Sequence, residues 1–379
     1  MYWLNENSRK FLAKGYLIGG ISAEERIREI AEIAEGYLKK PGFADKFYDY
    51  MSRGFYSLAT PIWANYGKER GLPISCFGSY VDDDMSRILY TQAEVGMMTK
   101  YGGGTSVYLG ALRPRGSLIK DNGHSSGSVH FLELFDNLIN IVSQGTVRRG
   151  HCAPYLPVEH PDIEEFLNIG KEGHPIQEST YAVTVTDKWL KEMVDGDQQK
   201  RQIWAKIIQR RTEIGYPYIF FTDSVNNNTV DVYKDKKMTI YGSNLCSEIC
   251  LPTNDQLSFV CCLSSINLRH YNEWKDTDAV ETLTMFLDTV LSDFIHRLES
   301  FRDSEDTHKQ SAFYFMQRAH KFAKDHRALG LGVLGWHTFL QENNIPFETA
   351  RSLIQKKYGL TEDYNDFLFQ KIQTLQDNG

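Results

Sequence analysis

The stretch Tyr241-Gly-Ser-Asn-Leu-Cys-Ser-Glu-Ile-Cys-Leu-Pro-Thr253 sets an amide, a thiol and a carboxylate at alternate positions, Asn244, Cys246 and Glu248, inside an otherwise apolar run. Side chains two apart in an extended chain point the same way. The spacing therefore predicts three functional groups facing one cavity, with Leu245 and Ile249 packed behind them. Pro252 favours an extended residue before it and argues against a helix running through the stretch. A thiol beside a carboxylate and an amide can act on a hydroxylated substrate. The same pattern equally fits a buried strand carrying an inert thiol, because free Cys commonly packs as a small hydrophobe.

The flanking sequence supplies strands and helices in alternation. Upstream, Tyr218-Ile-Phe-Phe221 reads as β and Asn226 to Asn228 as a turn; downstream, Phe259-Val-Cys-Cys-Leu-Ser-Ser-Ile-Asn-Leu268 is a second apolar β run, covered by a helix from about 277 to 298. This alternation predicts α/β layering with mainly parallel pairing. Toward the N-terminus, Ser22-Ala-Glu-Glu25 matches a capping box, and Ile27, Ile30, Ala31, Ala34 and Leu38 continue it as one apolar helix face. Asp82 to Asp84 precede a helical pattern that stops at Gly102 to Gly104, and a second helix is expected from about 129 to 142. The loop Ser143 to His151 mixes flexible positions with Arg148 and Arg149, a composition that can wrap an anionic nucleotide or simply be solvated. Residues 160 to 211 read as mainly helical. Gly330-Leu-Gly-Val-Leu-Gly335 has the letters of a dinucleotide fingerprint but no preceding strand, so it is expected to be tight packing at a turn.

Composition bounds the rest. The chain has 379 residues, 41% hydrophobic and 24% charged, enough for a large core, and two units are expected at this length. A net charge of -7 argues against a nucleic-acid polymer or membrane surface as partner. The N-terminus lacks a signal-peptide pattern and no apolar run approaches membrane-spanning length, so a cytoplasmic location is expected. The six cysteines, with no CxxC pair, predict catalytic or buried thiols rather than a disulfide framework or a metal site.

Seven blocks taken together resemble the large catalytic subunit of ribonucleotide reductase, over about residues 4 to 347. They are Thr60-Pro61; Ile74-Ser-Cys-Phe77; Gly102 to Gly104 with Leu112-Arg-Pro-Arg-Gly-Ser117; Ser143-Gln-Gly-Thr-Val-Arg148; His160-Pro-Asp162; Ser243-Asn-Leu-Cys-Ser-Glu248 with Leu251-Pro-Thr253; and Cys261 before Ser264-Ser-Ile-Asn-Leu268. The resemblance implies the first part of a ten-stranded α/β barrel, two halves of parallel strands set antiparallel, preceded by a small helical domain. The division expected is 1–60 helical, 61–347 barrel with the effector site, and 348–379 a divergent helical tail.

The resemblance also implies roles. Cys246 matches the cysteine whose thiyl radical removes the ribose 3′-hydrogen, Glu248 the base on the 3′-hydroxyl, and Asn244 the amide that orients the ribose hydroxyls. Cys76 and Cys261 match the thiol pair that closes to a disulfide, which requires Cα atoms within roughly 7 Å; Cys262 is expected to be a packing neighbour, with the choice between the two sulfurs left open. Thr60, Ser75 and Gly104 would hold the substrate diphosphate. Asp83, Arg113 and Lys120 would take the ribose and phosphates of a dNTP or ATP effector, and Gln144 and Arg148 would relay base identity. Lys120 stands where the family commonly has Arg. No metal or cofactor is expected on this chain itself. The radical would come from a small diiron-tyrosyl subunit, and reducing equivalents from thioredoxin or glutaredoxin.

Two departures from the family pattern accompany the resemblance. No ATP-cone domain precedes the helical unit, so no dATP activity switch is expected. The family's later barrel strands, phosphate loop, tyrosine pair and C-terminal cysteines have no counterpart here. This predicts the first half of a split large subunit that needs a second polypeptide and forms a dimer of large subunits. The alternatives are a fragment of the adenosylcobalamin-dependent class and a non-catalytic nucleotide-binding regulator; retention of the five catalytic side chains argues against the latter.

Overall fold

The computed structural model describes residues 1–145, 148–177, 179–350 and 353. Its N-terminal helices are α1 (Glu6–Ala13), α2 (Ala23–Leu38) and α3 (Phe43–Ser52). α2 starts where the capping box places it: Ser22 accepts from the Glu25 N–H while Glu25 accepts from the Ser22 N–H. Ile27, Ile30, Ala31 and Ala34 are fully buried along its inner face.

The short helix α4 (Thr60–Asn65) is ended by a side chain from α2. The Arg26 guanidinium donates to the carbonyls of Trp63 (2.9 Å), Ile62 (3.2 Å) and Tyr66 (2.7 Å), and pairs with Glu29. The Trp63 and Tyr66 carbonyls at the C-terminus of α4 take no N–H of the helix, whereas that of Ile62 also takes the Tyr66 N–H (3.2 Å), so one buried cation satisfies two orphan acceptors and adds to a third.

Eight strands form one curled sheet: β1 (Tyr56–Leu58), β2 (Cys76–Tyr80), β3 (Gly104–Tyr108), β4 (Cys152–Pro157), β5 (Ala182–Val185), β6 (Tyr218–Phe221), β7 (Phe259–Asn267) and β8 (Leu329–Leu334). The order is β1-β7-β2-β3-β4-β5-β6, with β8 against β7. β2 through β6 run parallel, as the strand-helix alternation predicts. β7 enters antiparallel to β1 and β2 but parallel to β8, so two runs of parallel strands meet at the β2–β7 seam.

Two cores flank the sheet. One joins the N-terminal helices to β7 and the long helix Ala279–Arg302, with the Phe47 and Phe286 rings stacked at 4.3 Å. The other lies under α5 (Met85–Lys100), α6 (Ser128–Ile141) and β3 to β5. A buried carboxylate also crosses between layers. Glu94 of α5 accepts from Ser79 of β2 (2.9 Å), from Ser258 at the start of β7 (3.0 Å) and from Arg318 of helix Thr307–His326 (3.1 Å at Nε).

Several expectations need correction. The segment 160 to 211 is not mainly helical throughout: it contains β5, whose four residues are all buried and too few to show a period. Asn226 to Asn228 end a helix (Thr222–Asn227) instead of forming an open turn; Asn226 exchanges hydrogen bonds with the Ile240 backbone, bracing the approach to the central stretch. Gly330 to Gly335 is no turn but strand β8 with its terminal glycine, and the side-chain-free positions lie against Leu263 and Ser265 of β7. The expected helical tail falls, beyond residue 350, outside the described residues except at 353.

Candidate active site

The central stretch is not an extended strand. Ser247 has φ +72, and its N–H meets the Asn244 carbonyl at 3.2 Å, closing a turn over Leu245 to Ser247. The cause is Asn244 itself. Its Oδ1 accepts from the N–H groups of Glu248 and Ile249, both at 3.1 Å, and short polar side chains that bond nearby backbone compete with strand ladders in this way. Ser243 adds a second clamp on Ile249, accepting from its N–H at 3.1 Å and donating to its carbonyl at 2.6 Å. Asn244 is completely buried, whereas Cys246 and Glu248 are exposed. The amide therefore works from beneath and the thiol and carboxylate project from the turn.

The turn sits over the β2–β7 seam. Cys76 and Cys261 are direct partners across these antiparallel strands. Such partners have Cα atoms roughly 4.5–5.5 Å apart, inside the range a disulfide needs. Asn244 Nδ2 donates to the Cys76 sulfur at 3.4 Å, joining the turn to the pair. The choice between neighbouring sulfurs follows from strand alternation: Cys262 points to the opposite face, where its thiol donates to the Leu287 carbonyl of the long helix at 3.4 Å. Cys250 is exposed beside the turn, and Cys152 lies in β4.

Burial pushes the Cys76 thiol up to about 11, with the charges of Glu248 and Cys246 adding to the rise and Arg148 opposing it. Cys261 is raised well above the ordinary range by burial and by Cys76. Cys246 is raised by its partial enclosure and by Glu248, again against Arg148. Each of the three thiols is thus raised by burial and by the charge of Glu248, and all three are held protonated near neutral pH.

The residues expected at a diphosphate surround the same seam. The Gly104 N–H donates to the Ser75 carbonyl at 2.7 Å, and the half-buried Arg148 guanidinium rests on the Thr60 hydroxyl. Gln144 donates to Asn65 at 3.0 Å, while its Oε1 is buried without a hydrogen-bond partner among the described residues. That oxygen fills the space over Gly102, where a Cβ would lie 2.2 Å away and where φ is +97. Residues 146 and 147 of the expected relay loop lie outside the described residues.

Asp83 and Arg113 are brought together at the N-terminal end of α5. Asp83 accepts from the Arg113 Nε at 2.7 Å and from its backbone N–H at 3.2 Å. Lys120 is exposed on the following loop with φ +33. Two residues at the site were not anticipated. Tyr155 of β4 donates to the Asn244 carbonyl at 2.7 Å, and Asn65 receives Gln144. Neither stands out by spacing, since each is a single polar group within an apolar element. Among the described residues no group of three or more His, Cys, Asp or Glu side chains could hold a metal ion, and no helix is long and apolar enough to cross a membrane.

Fold and site together define a class: a helical unit on an α/β half-barrel that gathers a thiol pair, a third thiol, a carboxylate and an amide at the seam of its two strand runs. The family model "Ribonucleotide reductase, all-alpha domain" matches residues 2–71, and "Ribonucleotide reductase, barrel domain" matches 74–200 and 191–359. The chain belongs to the ribonucleotide reductase family. A putative ribonucleoside-diphosphate reductase large subunit of Frog virus 3 is 32% identical, over 83% of this chain and 56% of its own length. The ribonucleoside-diphosphate reductase large subunit of Danio rerio is 28% identical over 90% of this chain and 47% of its own. The solved structure of the Actinobacillus ureae class Id ribonucleotide reductase alpha subunit superposes with a TM-score of 0.84 at 55% identity, covering 92% of this chain and 64% of that one. The chain thus spans less than two thirds of the length of these relatives.

Proposed function

We propose that this chain carries the thiol chemistry of a class I ribonucleoside-diphosphate reductase large subunit, converting ribonucleotides to 2′-deoxyribonucleotides. Cys246, as a thiyl radical, takes the 3′-hydrogen, and Glu248 takes the 3′-hydroxyl proton while Asn244 orients the ribose hydroxyls. The 2′-hydroxyl leaves as water. Cys76 and Cys261 supply the two electrons and two protons by closing to a disulfide, after which the 3′-hydrogen is returned and the sulfur radical regenerated.

The observation that carries this reading is the Cys76–Cys261 cross-strand pair, tied through Asn244 to the turn bearing Cys246 and Glu248. A thiol pair in bridging register has no packing rationale that two small apolar residues would not serve better.

The rest of the reading extends the same site. Thr60, Ser75 and Gly104 take the diphosphate; Asp83, Arg113 and Lys120 take a dNTP or ATP effector; Gln144 and Arg148 carry its base identity to the substrate. On this reading the chain divides into a helical unit (1–60), a barrel part with the effector site (61–347) and a tail (348–379). The class I relative at 55% identity favours a radical delivered by a small partner subunit, expected to be of the diiron-tyrosyl type, over one made from cobalamin. A dimer of large subunits in the cytoplasm, re-reduced by thioredoxin or glutaredoxin, completes the assembly. Because the chain spans 56% and 64% of two relatives' lengths, a separate polypeptide is expected to supply the rest of a large subunit, and co-purification from source cells tests that point directly.

The chemical test is a single turnover in the assembled enzyme without external reductant, followed by peptide mass mapping. A Cys76–Cys261 disulfide formed in proportion to deoxynucleotide is expected. Product without that bridge, or a bridge through Cys262, would overturn the assignment.

A further inference from the structure

The motif His160-Pro-Asp162 contributes nothing to the seam chemistry, yet its carboxylate is buried and heavily engaged. Asp162 Oδ1 accepts from the Arg115 N–H at 2.9 Å, and Oδ2 accepts from both the N–H (2.8 Å) and the hydroxyl (2.9 Å) of Ser128. His160 fixes the turn that aims it. The Asp162 N–H donates to His160 Nδ1 at 3.1 Å, so Nδ1 carries the lone pair and Nε2–H donates to the Leu112 carbonyl at 2.8 Å.

Leu112, Arg115 and Ser128 are the two ends of one loop. The loop folds on itself through Gly116 N–H to Ser125 (2.9 Å) and Ser125 N–H to Ser117 (2.7 Å), and carries Arg113 and Lys120. Arg113 in turn holds Asp83. The closure leaves no slack: at Gly127, φ +91, a Cβ would lie 2.8 Å from Asp162 Oδ2 and 2.9 Å from the Arg115 nitrogen. A bidentate Arg115–Glu165 pair, at 2.9 and 2.6 Å, holds the same junction from outside.

We infer that Asp162, locked by His160, is a positioning residue for effector binding: it pins both ends of the 113–127 loop, so that the affinity for a nucleoside triphosphate depends on a carboxylate outside the triphosphate's own contact set. The inference rests on the reading of Asp83, Arg113 and Lys120 as the effector site. A carboxylate serves three donors here. An amide in its place keeps one acceptor oxygen and turns an NH2 group toward a donor.

The test compares wild type with Asp162→Asn in the assembled enzyme, measuring equilibrium binding of dATP, dGTP and dTTP beside the KM for the ribonucleoside diphosphate. The expected result is triphosphate affinity weakened about tenfold or more, as loss of charge-assisted hydrogen bonds implies, with KM within about twofold. Turnover at saturating triphosphate should stay within about threefold of wild type. Triphosphate affinity unchanged within about twofold overturns the inference, and so does a parallel loss of both ligands, which marks general unfolding. Should Asp162→Asn not fold, Ser128→Ala removes one donor only and is expected to weaken triphosphate binding about three- to fivefold; unchanged affinity there also overturns it. If the wild-type enzyme binds no triphosphate, the effector reading falls first, a result distinct from a variant that binds like wild type.

Discussion

Cys76 meets Cys261 because two strands align, whereas Cys246 meets them because Asn244 bends the chain. The first relation depends on register and the second on a side chain that takes two backbone N–H groups. Their protonation is checkable. With its thiol at about 11, Cys76 is almost wholly protonated at pH 8, so alkylation should be slow there and accelerate as pH rises toward 11. Exposed Cys246 and Cys250 should label first, as peptide mapping would record. The linkage has a definite sign: the folded state holds the Cys76 proton more tightly than an unfolded thiol near 8.5, so the stabilisation is full below about pH 8.5 and is lost as pH climbs through 11. Chemical denaturation across pH 7.5 to 10.5 should show a falling midpoint. The residue identities were legible in the sequence through the family's motif order. The bend was not, because a period-two reading of Asn244, Cys246 and Glu248 cannot see that the amide oxygen takes two backbone N–H groups.

At the scale of elements, single buried ions hold the layers that present the site. Arg26 joins α2 to the end of α4, and α4 carries Thr60 and Asn65. Arg26→Ala should therefore cost about 3–5 kcal/mol, since the buried Trp63 and Tyr66 carbonyls lose their donor, while Ile62 keeps the Tyr66 N–H and Glu29 keeps Lys68. Urea unfolding would measure it, and a loss under about 1 kcal/mol would show that the network is dispensable. Packing gives a comparison: Phe286→Ala, removing the ring stacked on Phe47, should cost a similar about 3–5 kcal/mol by leaving a cavity. The helices were the readable elements, α2 above all, because a cap and a 3.6-residue period reinforce each other over sixteen residues. β5 escaped notice, since four buried residues, Ala182-Val-Thr-Val185, lying within a helix-rich region carry no period of their own. β8 was obscured by glycines that usually punctuate turns but here let strand backbones lie close to β7 side chains.

In the whole sheet β1, β6 and β8 each pair with a single strand among the described residues, and β6 and β8 carry the exposed apolar side chains. Near these edges Phe221, Val333 and Trp336 are exposed, Val333 at 59%. Unpaired strand edges beside apolar side chains seek partners. The chain on its own should associate as concentration rises, and Val333→Lys should lower that association in sedimentation velocity while leaving far-UV circular dichroism unchanged. An equal association constant for both proteins would place the contact elsewhere. The architecture was foreseeable only through resemblance: alternation of strand and helix suggested parallel layers, but nothing local announces that β7 reverses direction against β2.

That reversal has a consequence for how the centre can be reset. Neighbouring antiparallel strands already hold their Cα atoms at bridging distance, so the dithiol and disulfide forms of Cys76 and Cys261 can share one backbone. The cocked and spent states of such a cassette differ by little more than side-chain torsions. Recharging it then asks that a reductant reach two buried sulfurs, Cys76 at 7% and Cys261 at 2% exposure, while the strands stay in place.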